Sequence, residues 1–155
     1  MAKVKFKVEG MGKLQKSFKK LGDVPQKHVT AAAKKGMNIV KNDAKEDAPY
    51  LSGDLQKGTI LVAEKTKTKG KKVYRVVFDR AMNDVFQKPD KDGNVTGYYP
   101  ISQEYGFFAK NGRHIPGFAF VRSSLEKDAP AVEKTILSEM KKKIDAEIAK
   151  GGLRK

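Results

Sequence analysis

The chain has 155 residues, 39% hydrophobic and 33% charged, with 33 Lys and Arg against 18 Asp and Glu for a formal net charge of +15, and no cysteine. That length suits one domain with its own core, and the chain is not poor enough in apolar groups to be disordered. The missing cysteines exclude a disulfide framework and a thiolate metal site, and the charge points to nucleic acid, an acidic protein ring or a membrane surface as the partner.

Met1 to Phe6 lacks the apolar run of a secretory signal, and no stretch approaches the roughly 18 consecutive apolar residues of a membrane span. A soluble, cytoplasmic product with no membrane contact is expected. Val4, Phe6 and Val8 alternate with lysines and predict a half-buried strand. After Gly10 and Gly12, the residues Leu14, Phe18 and Leu21 predict a short amphipathic helix closed by Gly22. Asp23 and Pro25 then open a long helix whose apolar stripe is Val29, Ala33, Met37, Val40 and Ala44. Its small residues Ala31, Ala32, Ala33 and Gly36 would let another backbone approach, and Lys27, Lys34, Lys41 and Lys45 cover much of the rest. Pro49 requires the helix to stop near Ala48.

Residues 50–58 read as a turn-rich connection. Thr59 to Val62 and Val73 to Phe78 read as a strand pair, joined by a polar tip that carries Lys67, Lys69 and Lys71 beside Gly70. Residues 81–97 have no clear period and predict a long surface loop or a small hairpin. Tyr98 to Tyr105 is a further apolar segment, a strand or a short helix, and Asn111-Gly112 marks another turn. The last element is a helix of about 22 residues. Asp128 is its expected N-cap, Pro130 lies in its first turn, and Val132, Ile136, Met140, Ile144 and Ile148 step by four. Lys141, Lys142 and Lys143 lie on its polar face, Gly151-Gly152 ends it, and residues 153–155 form a frayed basic tail. This order predicts an α+β fold in one domain over residues 1–150. Its mainly antiparallel sheet of about three to five strands is packed by a long central helix and a long C-terminal helix.

Candidate chemistry is sparse. The two histidines, His28 and His114, lack the converging ligands of a metal site, and no serine sits in a nucleophile elbow. Asp90 to Asn94 resembles the start of a calcium loop, but Val95 and Ile101 stand where its glycine and closing glutamate belong, so an Asp-Gly turn is expected. No cofactor or metal is expected. The aromatic group Tyr98, Tyr99, Tyr105, Phe107 and Phe108 lies in an apolar stretch with few lysines, which favours core or subunit contact over base stacking. Any DNA contact would be electrostatic and blind to sequence.

Three segments in order carry a family resemblance. Ala48-Pro49-Tyr50-Leu51-Ser52-Gly53-Asp54-Leu55 resembles an Ala-Pro-x-x-Thr-Gly-x-Leu signature with Ser52 for threonine. The run from Tyr98 and Tyr99 through Glu104 to Gly106 is similar to Tyr-Ala-x-x-x-Glu-x-Gly. The run from Pro116 through Phe120 and Arg122 to Leu125 resembles a Pro-x-x-Pro-Phe-Leu-Arg-Pro-Ala-Leu approach to the last helix, with Ala119 and Ser123 replacing two prolines. Together they resemble the HK97 gp10-like family of bacteriophage neck and tail-completion proteins over nearly the whole chain. The physical reading of these residues is structural. Pro49 ends a helix, Gly53 takes a positive φ, Leu55 and Ile60 return to the core, and Glu104 pairs with Arg122.

The resemblance implies a non-enzymatic virion component that forms a homo-oligomeric ring around the DNA channel at the head–tail junction. Six copies are expected by analogy with tail symmetry, placed between head-closure and tail-terminator or tail-tube proteins. It would be located in the virion, after assembly in the host cytoplasm. The lysines would meet acidic neighbouring rings or line a DNA-containing lumen. Two rival readings are a sequence-independent nucleic-acid-binding protein and a toxin-like nuclease that relies on His28 and His114.

Overall fold

The structure, a computed structural model, describes residues 26–149. The expected strand at residues 4–8, the helix at 14–21, the caps at Asp23 and Pro25, and the basic tail lie outside the described residues. The first described element, α1 (Gln26–Glu46), is a helix rich in alanine and lysine, both good helix formers. It ends three residues before Pro49. Its most buried positions are Ala32, Gly36, Val40 and Ala44, while Val29, Ala33 and Met37 are only half-buried. The buried face is thus turned toward the smallest residues. A Cβ on Gly36 would come within 2.8 Å of Ile136 Cγ1 and 3.2 Å of Val132 Cγ1, so the absent side chain sets how closely the last helix approaches.

That last helix, α5, runs over Phe120–Ala149, 30 residues. The expected start at Asp128 is corrected: α5 begins eight residues earlier, and Pro130 is inside it. Every fourth residue from its start is buried, namely Phe120, Ser124, Asp128, Val132, Ile136 and Met140. Two of these buried residues, Ser124 and Asp128, are polar, which hides the first half of the stripe from a search for apolar periodicity. Pro130 has no N–H to donate to the Glu126 carbonyl, but both residues are exposed, so water can serve that carbonyl.

Between the long helices lie α2 (Asp54–Gly58), β1 (Thr59–Ala63), β2 (Tyr74–Phe78), a 3-10 turn (Arg80–Met82), α3 (Asn83–Phe86), β3 (Gln87–Pro89), β4 (Val95–Tyr98), α4 (Tyr99–Tyr105), β5 (Gly106–Phe108) and β6 (His114–Pro116). The fold is α+β, as expected. The single sheet of three to five strands is corrected: the six strands among the described residues form three separate pairs, β1–β2, β3–β4 and β5–β6. The described strands are three to five residues long. The connection at 50–58 contains α2, and residues 81–97 hold a helical turn and most of a hairpin, in which Gln87 pairs with Tyr98. Of the segment Tyr98 to Tyr105, Tyr98 ends β4 and Tyr99–Tyr105 is a helix with Pro100 in its first turn.

The described chain divides into two compact units. One holds residues 26–39, Ala63–Arg75 and 128–149; the other holds Val40–Val62 and Val76–Lys127. The core of the first unit contains Ala32, Val132, Ile136 and Met140. The core of the second contains Ala44, Ala48, Leu55, Phe86 and Phe120, ringed by Phe78, Met82, Tyr98, Tyr99 and Val121. Phe86 meets Phe78 edge-on at 6.3 Å between centroids and Tyr98 at 6.0 Å, the geometry that aromatic quadrupoles favour. Ile60 is half-buried rather than fully in this core.

Gly36→Leu should force α1 and α5 apart in the first unit. Overpacking of this kind costs about 1–3 kcal/mol. Urea unfolding should show a lowered midpoint, whereas an unchanged midpoint would mean that the helices do not meet at Gly36.

Candidate assembly surface

The segment from Tyr98 to Arg122 is built around one buried carboxylate. Glu104, on α4, is 4% exposed. Its Oε2 accepts from the Val121 amide at 2.9 Å, and its Oε1 accepts from the Arg122 amide at 3.1 Å. Ala119 accepts the first helical bond of α5, from the Ser123 amide at 2.8 Å, so Glu104 satisfies two donors that the first turn of α5 leaves unpaired. A carboxylate at that end also faces the positive pole of the helix dipole. The expected pairing of Glu104 with the Arg122 side chain is therefore corrected. Glu104 holds the backbone of Arg122, and the guanidinium lies 5.9 Å from the Tyr105 ring centroid.

Backbone contacts lock the same junction. The Phe118 amide donates to the Gln103 carbonyl at 2.7 Å, and the Ala119 amide donates to the Glu104 carbonyl at 3.0 Å. Gly106 has φ 83°, and a Cβ there would meet the Ile115 carbonyl oxygen at 2.3 Å. A Cβ on Gly117 would come within 2.4 Å of the Gly106 nitrogen. Ala119 has φ 50°, which a proline ring cannot adopt, so the proline of the resembled pattern would not fit here.

This junction projects the β5–β6 hairpin. Phe107 pairs with Ile115, and Phe108 pairs with His114. Alternate residues of a strand face opposite sides, so both faces of the hairpin carry apolar groups. Phe108 is 75% exposed and Phe118 64%, and Phe107, Ile115 and Tyr105 are exposed as well. The Phe108 ring lies 5.0 Å from His114. The aromatic group thus divides: Tyr98 and Tyr99 pack on the core, and the rest face outward.

The Ala48–Leu55 segment belongs to the same unit. Gly53 has φ 80°, as expected of the turn, and Leu55 is buried. The exposed Ser52 hydroxyl donates to Asp54, at the start of α2. Tyr50 and Leu51 are 75% and 83% exposed. Pro49 is half-buried and Pro116 exposed.

A sequence model of a known family matches residues 12–97, more than half of the chain; it is described as "Bacteriophage HK97-gp10, putative tail-component". The chain belongs to the HK97 gp10-like family. The match includes the Ala48–Leu55 signature and stops just before the Tyr98–Gly106 and Pro116–Leu125 segments. No curated protein and no solved structure matches the chain.

The structure separates the ten lysines expected to meet DNA or acidic partners. Lys27, Lys34, Lys67, Lys69, Lys71, Lys141, Lys142 and Lys143 lie in the first unit, and Lys41 and Lys45 in the second. Lys35, hydrogen-bonded to Glu139 at 2.6 Å, holds that carboxyl below its ordinary pKa. His28 is bonded to Glu147 at 3.0 Å, and His114 lies against Phe108 on the hairpin. Asp90 Oδ1 accepts from the amides of Asp92 and Asn94 at 2.9 and 2.8 Å, which makes it a turn residue and lowers its pKa, chiefly through the Asn94 amide. Among the described residues no three His, Cys, Asp or Glu gather to hold a metal, and no helix is long and apolar enough to cross a membrane. Reading the sequence missed Gly117, whose need for a close backbone approach appears only once Gly106 is placed beside it.

Glu104→Ala would leave two amides of α5 without their acceptor, a loss of about 2–3 kcal/mol for a charge-assisted pair of bonds. Arg122→Ala should cost under about 1 kcal/mol, the range for an exposed cation–π contact. Denaturation of the two single variants and the double variant should be additive within about 0.5 kcal/mol. Strong coupling would restore a side-chain ion pair.

Proposed function

We propose that this HK97 gp10-like protein is a structural component of the virion neck, completing the tail end as part of the head–tail joining ring around the DNA channel. Six copies, by analogy with tail symmetry, would associate through a heterologous interface that closes by rotation. Head-closure and tail-terminator or tail-tube proteins would lie on either side. The role is architectural and requires no catalytic step.

The observation that carries this reading is the β5–β6 hairpin. A two-stranded hairpin is marginal by itself. This one is held by a buried carboxylate and two glycines fitted against backbone, yet it presents Phe107, Ile115 and Phe108 outward. Aromatic side chains grouped on an exposed element are the usual centre of a protein interface. Family membership supports the tail as the setting.

Light scattering after size exclusion should show the wild-type protein associating as concentration rises. Phe107→Ser/Phe108→Ser should remain a monomer with an unchanged far-UV spectrum, and phage carrying it should fail to join heads to tails. A wild-type protein that stays monomeric at every concentration, together with a variant that still supports infectious particles, would refute the proposal.

A further inference from the structure

The charge of this protein is not spread over its fold. In the first unit, the described residues hold thirteen Lys and Arg against six Asp and Glu; in the second they hold ten against ten. The described charge excess therefore lies entirely in one unit. The exposed large apolar side chains lie entirely in the other: among the described residues, the basic unit has none.

We infer that the basic unit is a sequence-independent binding surface for the phosphate backbone of double-stranded nucleic acid, working separately from the neutral unit and its apolar contacts. Protein interfaces are enriched in aromatics and arginine at their centre and depleted in lysine. The described basic unit has the opposite make-up. Twelve of its thirteen cations are lysines, and its one arginine, Arg75, is tied to Glu64 at 2.9 Å. Spread ammonium charges suffice for a phosphate backbone, which needs neutralisation rather than shape matching. Single-strand binding would add exposed aromatics for stacking, and the described part of this unit offers none, so a duplex is the better fit.

The lysines are also positioned. Lys65, Lys67, Lys69 and Lys71 occupy every second residue of the connection between β1 and β2. The turn is fastened to the start of α1 by Gln26. Its Oε1 accepts from the Gly70 amide at 2.8 Å, and its Nε2 donates to the Lys71 carbonyl at 3.1 Å. The Thr66 hydroxyl donates to the same carbonyl at 2.9 Å. This bonding holds an exposed row of cations in place, and Lys67 and Lys71 have no carboxylate partner among the described residues.

The inference deepens the proposed place around the DNA channel, but it can be tested on dilute protein without any ring. Fluorescence anisotropy with short duplexes of unrelated sequence should give equal affinities that fall steeply between about 50 and 200 mM salt. Lys67→Gln/Lys71→Gln should weaken binding about tenfold or more and make the log–log salt slope shallower by about 2, at about 0.9 per phosphate contact. Lys41→Gln/Lys45→Gln, in the neutral unit, should change neither quantity. Phe107→Ser/Phe108→Ser, which removes the proposed ring contact, should bind duplex like the dilute wild type. Any of three results would overturn the inference: no duplex binding at the lowest salt while a polyglutamate peptide binds, tighter binding to single strands, or equal effects of the two lysine pairs.

Discussion

A carboxylate buried to 4% exposure is costly unless its oxygens are satisfied, and Glu104 meets that condition by capping the first turn of α5. The arrangement joins two stretches of chain that are far apart in sequence. On one side is α4, with Pro100 buried and Tyr99 on the core. On the other is the start of the longest helix, where Phe120 enters the same core. Between them Gly106 and Gly117 touch backbone to backbone at the base of the β5–β6 hairpin, whose Phe107, Phe108 and Ile115 are exposed. The Tyr98–Gly106 and Pro116–Leu125 segments therefore act as one junction, whose product is an apolar arm.

Much of the fold was legible because its signals are local. Gly53 sits in a turn that needs a positive φ, Leu55 follows it into the core, and α1 stops just before Pro49. The start of α5 was not legible, because Ser124 and Asp128 continue the buried stripe with polar side chains and Pro130 imitates a first turn. The sheet was overestimated for a related reason. Strand propensity is read one segment at a time and does not say which segments pair. For the site, the sequence pairs Glu104 with Arg122 through their side chains, whereas the carboxylate takes the Arg122 backbone amide, a partner that every residue carries and no residue type reveals.

The distribution of charge gives the family role a physical form. A chain at +15 resists gathering copies of itself, since like charges repel over about a Debye length. The described excess lies in one unit, and the exposed large apolar side chains among the described residues lie in the other. In a tail component such a division would let protein–protein contact and polyanion contact be strengthened independently.

The division of labour has a direct test in sedimentation velocity of the wild-type protein mixed with duplex DNA, at low salt and at about 1 M salt, where screening reaches only about 3 Å. The account predicts that high salt strips the DNA from the protein while the protein oligomer persists or grows. An oligomer that falls apart with salt at the same point as DNA is released would show that the lysines hold the copies together, and would contradict it.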